Sequence, residues 1–223
     1  MTVLQIGHII FDIVQVFAFF VIIVGARKWK MLSHPLRFFE VYISIGLAGT
    51  IMEGILADHN IRNLWMQHWV SLFELSASCY LYFVWRPSNR FARLLWTSYG
   101  MYIAVWIIGK YSFEPFYYSD VYSGALSQTI QIGFGGWLLY QISQEYLFEW
   151  KTDPRFIVVT GIAGYAAASF LLFAMFNLML TLPRQTMRVI WLSNSFFVII
   201  QYIIFLRAFL CKPKVVLGTS PTA

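Results

Sequence analysis

The sequence predicts an all-α, polytopic membrane protein with seven transmembrane helices. Three observations lead there. Hydrophobic residues make up 59% of the chain and charged residues only 12%, against about 25% charged in soluble domains. Seven apolar segments recur, each roughly the 18 to 25 residues needed to cross a hydrocarbon core. Aromatic residues reach 19%, and many lie beside loop charges, as in an interfacial belt.

The segments are residues 6–25, 38–57, 67–85, 91–109, 122–143, 156–182 and 189–210. Residues 1–211 form one transmembrane domain. Residues 212–223, rich in Lys, Pro, Gly, Ser and Thr, read as a short disordered cytoplasmic tail. The first segment lacks a basic leader and a small-residue cleavage site, so it reads as a retained helix.

Orientation follows from the basic residues. Of sixteen Lys and Arg, one set of helix ends carries twelve: Arg27, Lys28, Lys30, Arg37, Arg86, Arg90, Arg93, Lys151, Arg155, Arg207, Lys212 and Lys214. The other set carries Arg62, Lys110, Arg184 and Arg188. The N-terminus is therefore expected outside and the C-terminus in the cytoplasm, and only an odd number of spans keeps this alternation. The net charge of +6 forms no continuous soluble face, which argues against nucleic acid. Cys79 and Cys211 lie toward different depths, so no disulfide is expected.

Spans one to three also align with spans five to seven. WKMLSHPLRFFEVYISIGLAG starts at Trp29 and WKTDPRFIVVTGIAGYAAA at Trp150. With a short gap, Arg37, Phe38, Val41, Gly46 and Ala48 match Arg155, Phe156, Val159, Gly164 and Ala166. The pattern suggests a 3+1+3 parallel repeat with span four as linker. A competing explanation is that membrane borders favour Trp, Arg and Pro wherever they fall.

The third span organises the rest. Glu74 is its only charge between Trp69 and Trp85, and Gln67, Ser71, Glu74, Ser78 and Tyr82 share one helical face. A carboxylate inside a span must face other helices, a partner or water. Polar stripes on other spans answer it: His8, Asp12 and Gln15 in span one; Gly46, Gly49, Thr50 and Glu53 in span two; Gly124, Gln128, Gln131 and Gly135 in span five; Asn177 in span six; Asn194 in span seven. Counted from the outer ends, Asp12, Glu53 and Glu74 fall about four to seven residues deep, or roughly 6–10 Å. The expectation is an outward-opening polar pocket whose ligand- or proton-binding residues are Asp12, Gln15, Glu53, Glu74, Gln128, Gln131, Asn177 and Asn194. Three carboxylates in one low-dielectric layer cannot all ionise cheaply, so the layer should hold a proton. The bland alternative for the amides is polar contact between helices, worth about 0.6 kcal/mol each.

Other chemistries find less support. His8, Asp12, Glu53, Glu74 and His68 are residue types that suit a transition metal, but the i, i+4 pair His8 and Asp12 is a weak signal, so no metal and no cofactor is expected. His68 reads as an interfacial histidine. No nucleophile elbow or Ser/Cys–His–acid frame appears, which argues against an enzyme. The last span has no lysine to hold retinal.

At HNIRNLWMQHWVSLFELSASCYLYF and WLSNSFFVIIQYIIFLRAF the chain resembles uncharacterised small seven-helix membrane proteins of Bacteroidetes-type bacteria. The matching positions are Asn63, Leu64, His68, Glu74 and Asn194. The 3+1+3 plan is similar to the transporter–opsin–receptor architecture, although the proline–glutamine pairs of the sugar carriers are missing. The resemblance implies a multi-pass protein of the bacterial inner membrane, with the lipid bilayer as its first partner. The expected function is binding or transport of a small solute or ion, coupled to a proton. The alternative is a sensor or accessory subunit acting through a membrane partner protein or a homo-oligomer.

Overall fold

A computed structural model describes residues 3–59, 61–86, 88–145, 150–175 and 181–211. Among them the chain is all-helical. Seven α-helices form: α1 Val3–Arg27, α2 His34–Asp58, α3 Leu64–Val84, α4 Asn89–Ser112, α5 Tyr122–Glu145, α6 Pro154–Ala174 and α7 Arg184–Leu210. Asn177 and the tail at 212–223 lie outside the described residues.

Helix ends extend past the apolar runs because polar residues terminate them. The Ser88 hydroxyl accepts the Phe91 N–H at 3.2 Å and starts α4. Asp153 accepts the Arg155 N–H at 2.8 Å ahead of Pro154 and starts α6. Such caps satisfy backbone donors that the first turn leaves free. The last helix begins at Arg184, after Pro183, where hydropathy alone suggested residue 189.

Five helices, α1, α2, α4, α6 and α7, are long and apolar enough to cross a membrane. The other two, α3 and α5, have 21 and 24 residues, so length does not limit them. Their buried faces carry polar residues among the apolar ones: His68, Ser71 and Ser78 on α3, and Ser123, Ser127, Gln128 and Gln131 on α5. A helix enclosed by its neighbours has less lipid to face and can carry such groups.

Packing places α3 and α5 accordingly. Contacts run α1–α2–α3–α5–α6–α7 and return from α7 to α1, a ring of six helices, while α4 packs outside on α3 and α5. Each half of the ring is a triplet, α1–α2–α3 and α5–α6–α7. The middle helix of each follows a 3-10 turn, Trp29–Met31 before α2 and Trp150–Thr152 before α6, and each has proline in its first turn. At this basic-rich end the ring is filled. Phe39 meets Phe205 edge-on at 4.7 Å and Phe209 at 5.9 Å, with Val158, Val159 and Ala208 beside them in one buried cluster. Gly161 lies so close to Phe205 that a Cβ there would run into its ring.

Candidate functional site

Glu74 is the tenth residue after Leu64, about 15 Å along α3, so it stands at mid-helix and not in the outer half. It lies within electrostatic reach of Glu53 on α2 and of Asp120. Tyr42 of α2, Tyr165 of α6 and Tyr202 of α7 all feel its charge. The Asn194 side chain lies beside Tyr165. Glu74 and the three tyrosines are each only half-buried, although four helices of the ring supply them. The aromatic plug of Phe39, Phe205 and Phe209 closes the ring toward the basic-rich end.

The other expected residues divide. Gln131 is buried and ties α3 to α5: its Oε1 accepts from Ser78 at 3.1 Å, its Nε2 donates to Ser127 at 3.3 Å, and its carbonyl accepts from Tyr82 at 3.3 Å. Gln128 is buried with Oε1 unpartnered among the described residues, as is Asn194 Oδ1. Glu53 is half-buried nearer the end opposite the basic-rich one, and the Asn63 amide donates to its backbone carbonyl at 3.1 Å. Gln15 is half-buried on α1. Asp12 is a correction. It is exposed, in a shallow groove walled by Ile9, Ile13, Val16 and Phe17 of its own helix, because its face of α1 turns away from the ring. The single layer of three carboxylates therefore reduces to the pair Glu53 and Glu74.

A second constellation was missed by the sequence reading. His68, expected at the interface, is completely buried. Its Nε2 stands 2.9 Å from the Tyr118 carbonyl, and a carbonyl only accepts, so Nε2 carries the hydrogen. Its Nδ1 meets Lys110 Nζ and lies 3.2 Å from Asp120 Oδ1. Lys110 Nζ is also 3.2 Å from Glu114 Oε2, 3.4 Å from Asp120 Oδ1 and 3.0 Å from Ser123 Oγ. Trp106 lies 5.2 Å and Phe116 5.9 Å from that ammonium, near enough for attraction by the rings. Glu114 further accepts the Tyr122 N–H at 2.6 Å and the Ser123 N–H at 3.2 Å, which caps α5 with a carboxylate at its positive end. The Ser123 hydroxyl meets both carboxylates.

Burial alone would raise the Asp120 carboxyl, but the His68 ring and the Ser123 hydroxyl set against it and the Lys110 charge outweigh it and hold it below the usual range. The ligand atoms of His68, Glu114 and Asp120 lie within 4.8 Å of one another. The lysine ammonium stands among them, so the protein's own cation takes the place a metal ion would have. A clue was present in the sequence: Lys110 and Glu114 are four apart, with Asp120 six further on, in an aromatic-rich run.

Comparison with known protein families, curated proteins and solved structures finds no match to this chain.

Proposed function

We propose that the chain crosses the membrane seven times, with its N-terminus outside, and binds or carries a small solute or ion in the hollow around Glu74, with a proton exchanged at that carboxylate. One observation carries the reading: Glu74 is only half-buried, together with Tyr42, Tyr165 and Tyr202, at the middle of a ring whose basic-rich end is filled by Phe39, Phe205 and Phe209. A pocket bounded by a carboxylate and three phenol groups suits a cation or a hydrogen-bond donor. The plug leaves entry from the opposite end. The paired triplets of the ring favour the 3+1+3 plan, and the enclosed, polar α3 and α5 fit as the two remaining spans.

The experiment is infrared difference spectroscopy of the full chain in bilayers across pH 4 to 9, together with proton uptake by proteoliposomes. The expected result is a carboxyl signal that titrates in the wild type and is missing in Glu74→Gln, with proton uptake lost in the same variant. A carboxyl spectrum and proton uptake that Glu74→Gln leaves unchanged would reject the proposal.

A further inference from the structure

A second feature lies on the outside of the ring, away from Glu74. Glu40 is the sixth residue after His34, about 9 Å along α2, at the basic-rich end. Only 4% of it is exposed, and its Oε2 is buried with no hydrogen-bond partner among the described residues. Its side chain packs onto Gly25 of α1, where a Cβ would come within 2.9 Å of the Glu40 carboxyl carbon. Arg37, the nearest cation in sequence on α2, is taken: its guanidinium donates to the carbonyls of Trp29 and Leu32, both at 3.0 Å, and Lys30 at 3.3 Å. A buried carboxylate oxygen left without a donor among the described residues calls for a further partner.

Glu40 lines a groove with Trp29, Val41, Ser44, Ile45 and Ala48. Val41, Ile45 and Ala48 follow one another along the same face of α2 and are exposed, so an apolar track leads from the carboxylate toward mid-membrane. Trp29 stands at the headgroup end, where tryptophan is favoured, between Lys28 and Lys30. In the aligned register of α6 the Glu40 position is Val158, which is completely buried. Helix packing at that position is thus satisfied by a valine in the other half of the ring.

We propose that this groove holds a phospholipid whose headgroup ends in a primary ammonium. The ammonium donates to Glu40, Lys28 and Lys30 offer positive charge to the phosphate, and one acyl chain lies along Val41, Ile45 and Ala48. A charge-assisted N–H bond to the Glu40 carboxylate where it lines the groove gives headgroup selectivity, and the apolar track gives affinity without selectivity.

The test is native mass spectrometry of the full chain released from vesicles with equal parts phosphatidylethanolamine, phosphatidylcholine and phosphatidylglycerol. The wild type should retain phosphatidylethanolamine about tenfold over the other two, the size of effect one charge-assisted hydrogen bond gives. Glu40→Gln should abolish that preference, and Ala48→Phe should reduce retention of all three lipids. Equal retention of the three by the wild type overturns the proposal, as does a preference that Glu40→Gln leaves intact. A dimer that Ala48→Phe dissociates, with no lipid retained, assigns the groove to a second copy and also overturns it. If Glu40→Gln does not fold, the wild-type comparison still decides, because phosphatidylcholine carries the same charge without an N–H to donate.

Discussion

Lys110 Nζ lies 3.4 Å from Asp120 Oδ1, and both side chains are almost wholly withdrawn from solvent. The same ammonium is 3.2 Å from Glu114. One cation thus serves two buried carboxylates, and they join the C-terminal end of α4, the loop after it and the N-terminus of α5. Through His68 the network also reaches α3. A buried network of this kind gains little over an apolar core, but removing one member leaves the others uncompensated.

Replacing Lys110 is therefore costly. Lys110→Ala leaves Glu114 and Asp120 side by side without their cation, and the expected loss is about 3–5 kcal/mol, read as a fall in thermal midpoint. Zinc should recover much of it, because His68, Glu114 and Asp120 keep their ligand atoms within 4.8 Å of one another and suit that ion. The control is Lys110→Ala combined with His68→Ala, which should not respond to zinc. Equal recovery in both variants would show that the metal acts elsewhere.

Acid should weaken the same corner. Burial pushes the Asp120 carboxyl up, but His68, Ser123 and Lys110 together bring it below its ordinary value of 3.8. A folded-state value below the unfolded one means that Asp120 contributes stability above about pH 4, and that this contribution is lost as pH falls through the folded value. Asp120→Asn should be less stable than wild type at neutral pH, and the difference should shrink below about pH 4. Thermal unfolding at several pH values measures it. A gap between the two proteins that stays constant down to pH 2 would contradict the shift.

The architecture was legible because it rests on local signals. Long apolar runs, proline and capping residues, and basic ends give the seven helices, and the Trp-Lys turns before α2 and α6 appear where the two halves align. A period within one helix also set Glu74 on one face with Ser71, Ser78 and Tyr82. Asp12 misled because a single-helix period shows that residues share a face without showing what that face meets. The His68 network could not be read by period at all. Its members come from α3, the end of α4, a loop and the start of α5, and only folding brings His68 and Ser123 together across 55 positions. Lys110 looked like a loop charge because hydropathy ends the helix at residue 109, whereas α4 continues to Ser112.

Two glycines of α5 test how tightly the ring is packed. A Cβ at Gly135 would lie 2.8 Å from Tyr82 Oη and 2.9 Å from Ala163 Cβ, so α3, α5 and α6 meet there, while Gly133 has nothing within 4 Å. Gly135→Ala should cost about 1–3 kcal/mol through overpacking. Gly133→Ala should be neutral or stabilising by up to about 1 kcal/mol, because alanine is the better helix former. Unfolding of the two variants in the same detergent compares them directly. Equal effects would mean that the three-helix contact is looser than described.

The span count rests on α3 and α5, whose hydropathy falls short of the other five, and labelling at three positions decides it. Tyr117 is 63% exposed in the loop after α4, Asn89 is exposed at the start of α4, and Gln144 is exposed at the far end of α5. In a Cys211→Ser background the remaining cysteine, Cys79, is completely buried and should stay silent. In the orientation proposed from the twelve-to-four distribution of basic residues, Asn89 and Gln144 would face the cytoplasm and Tyr117 the outside. An impermeant maleimide on intact cells should therefore modify Tyr117→Cys and leave Asn89→Cys and Gln144→Cys unmodified until the cells are opened. The reverse pattern would invert the protein in the membrane and send the hollow at Glu74 to the cytoplasmic side. Labelling of Tyr117→Cys and Gln144→Cys together from outside would mean that α5 does not cross. The ring would then have only one complete triplet of spanning helices, and the 3+1+3 plan would be lost with it.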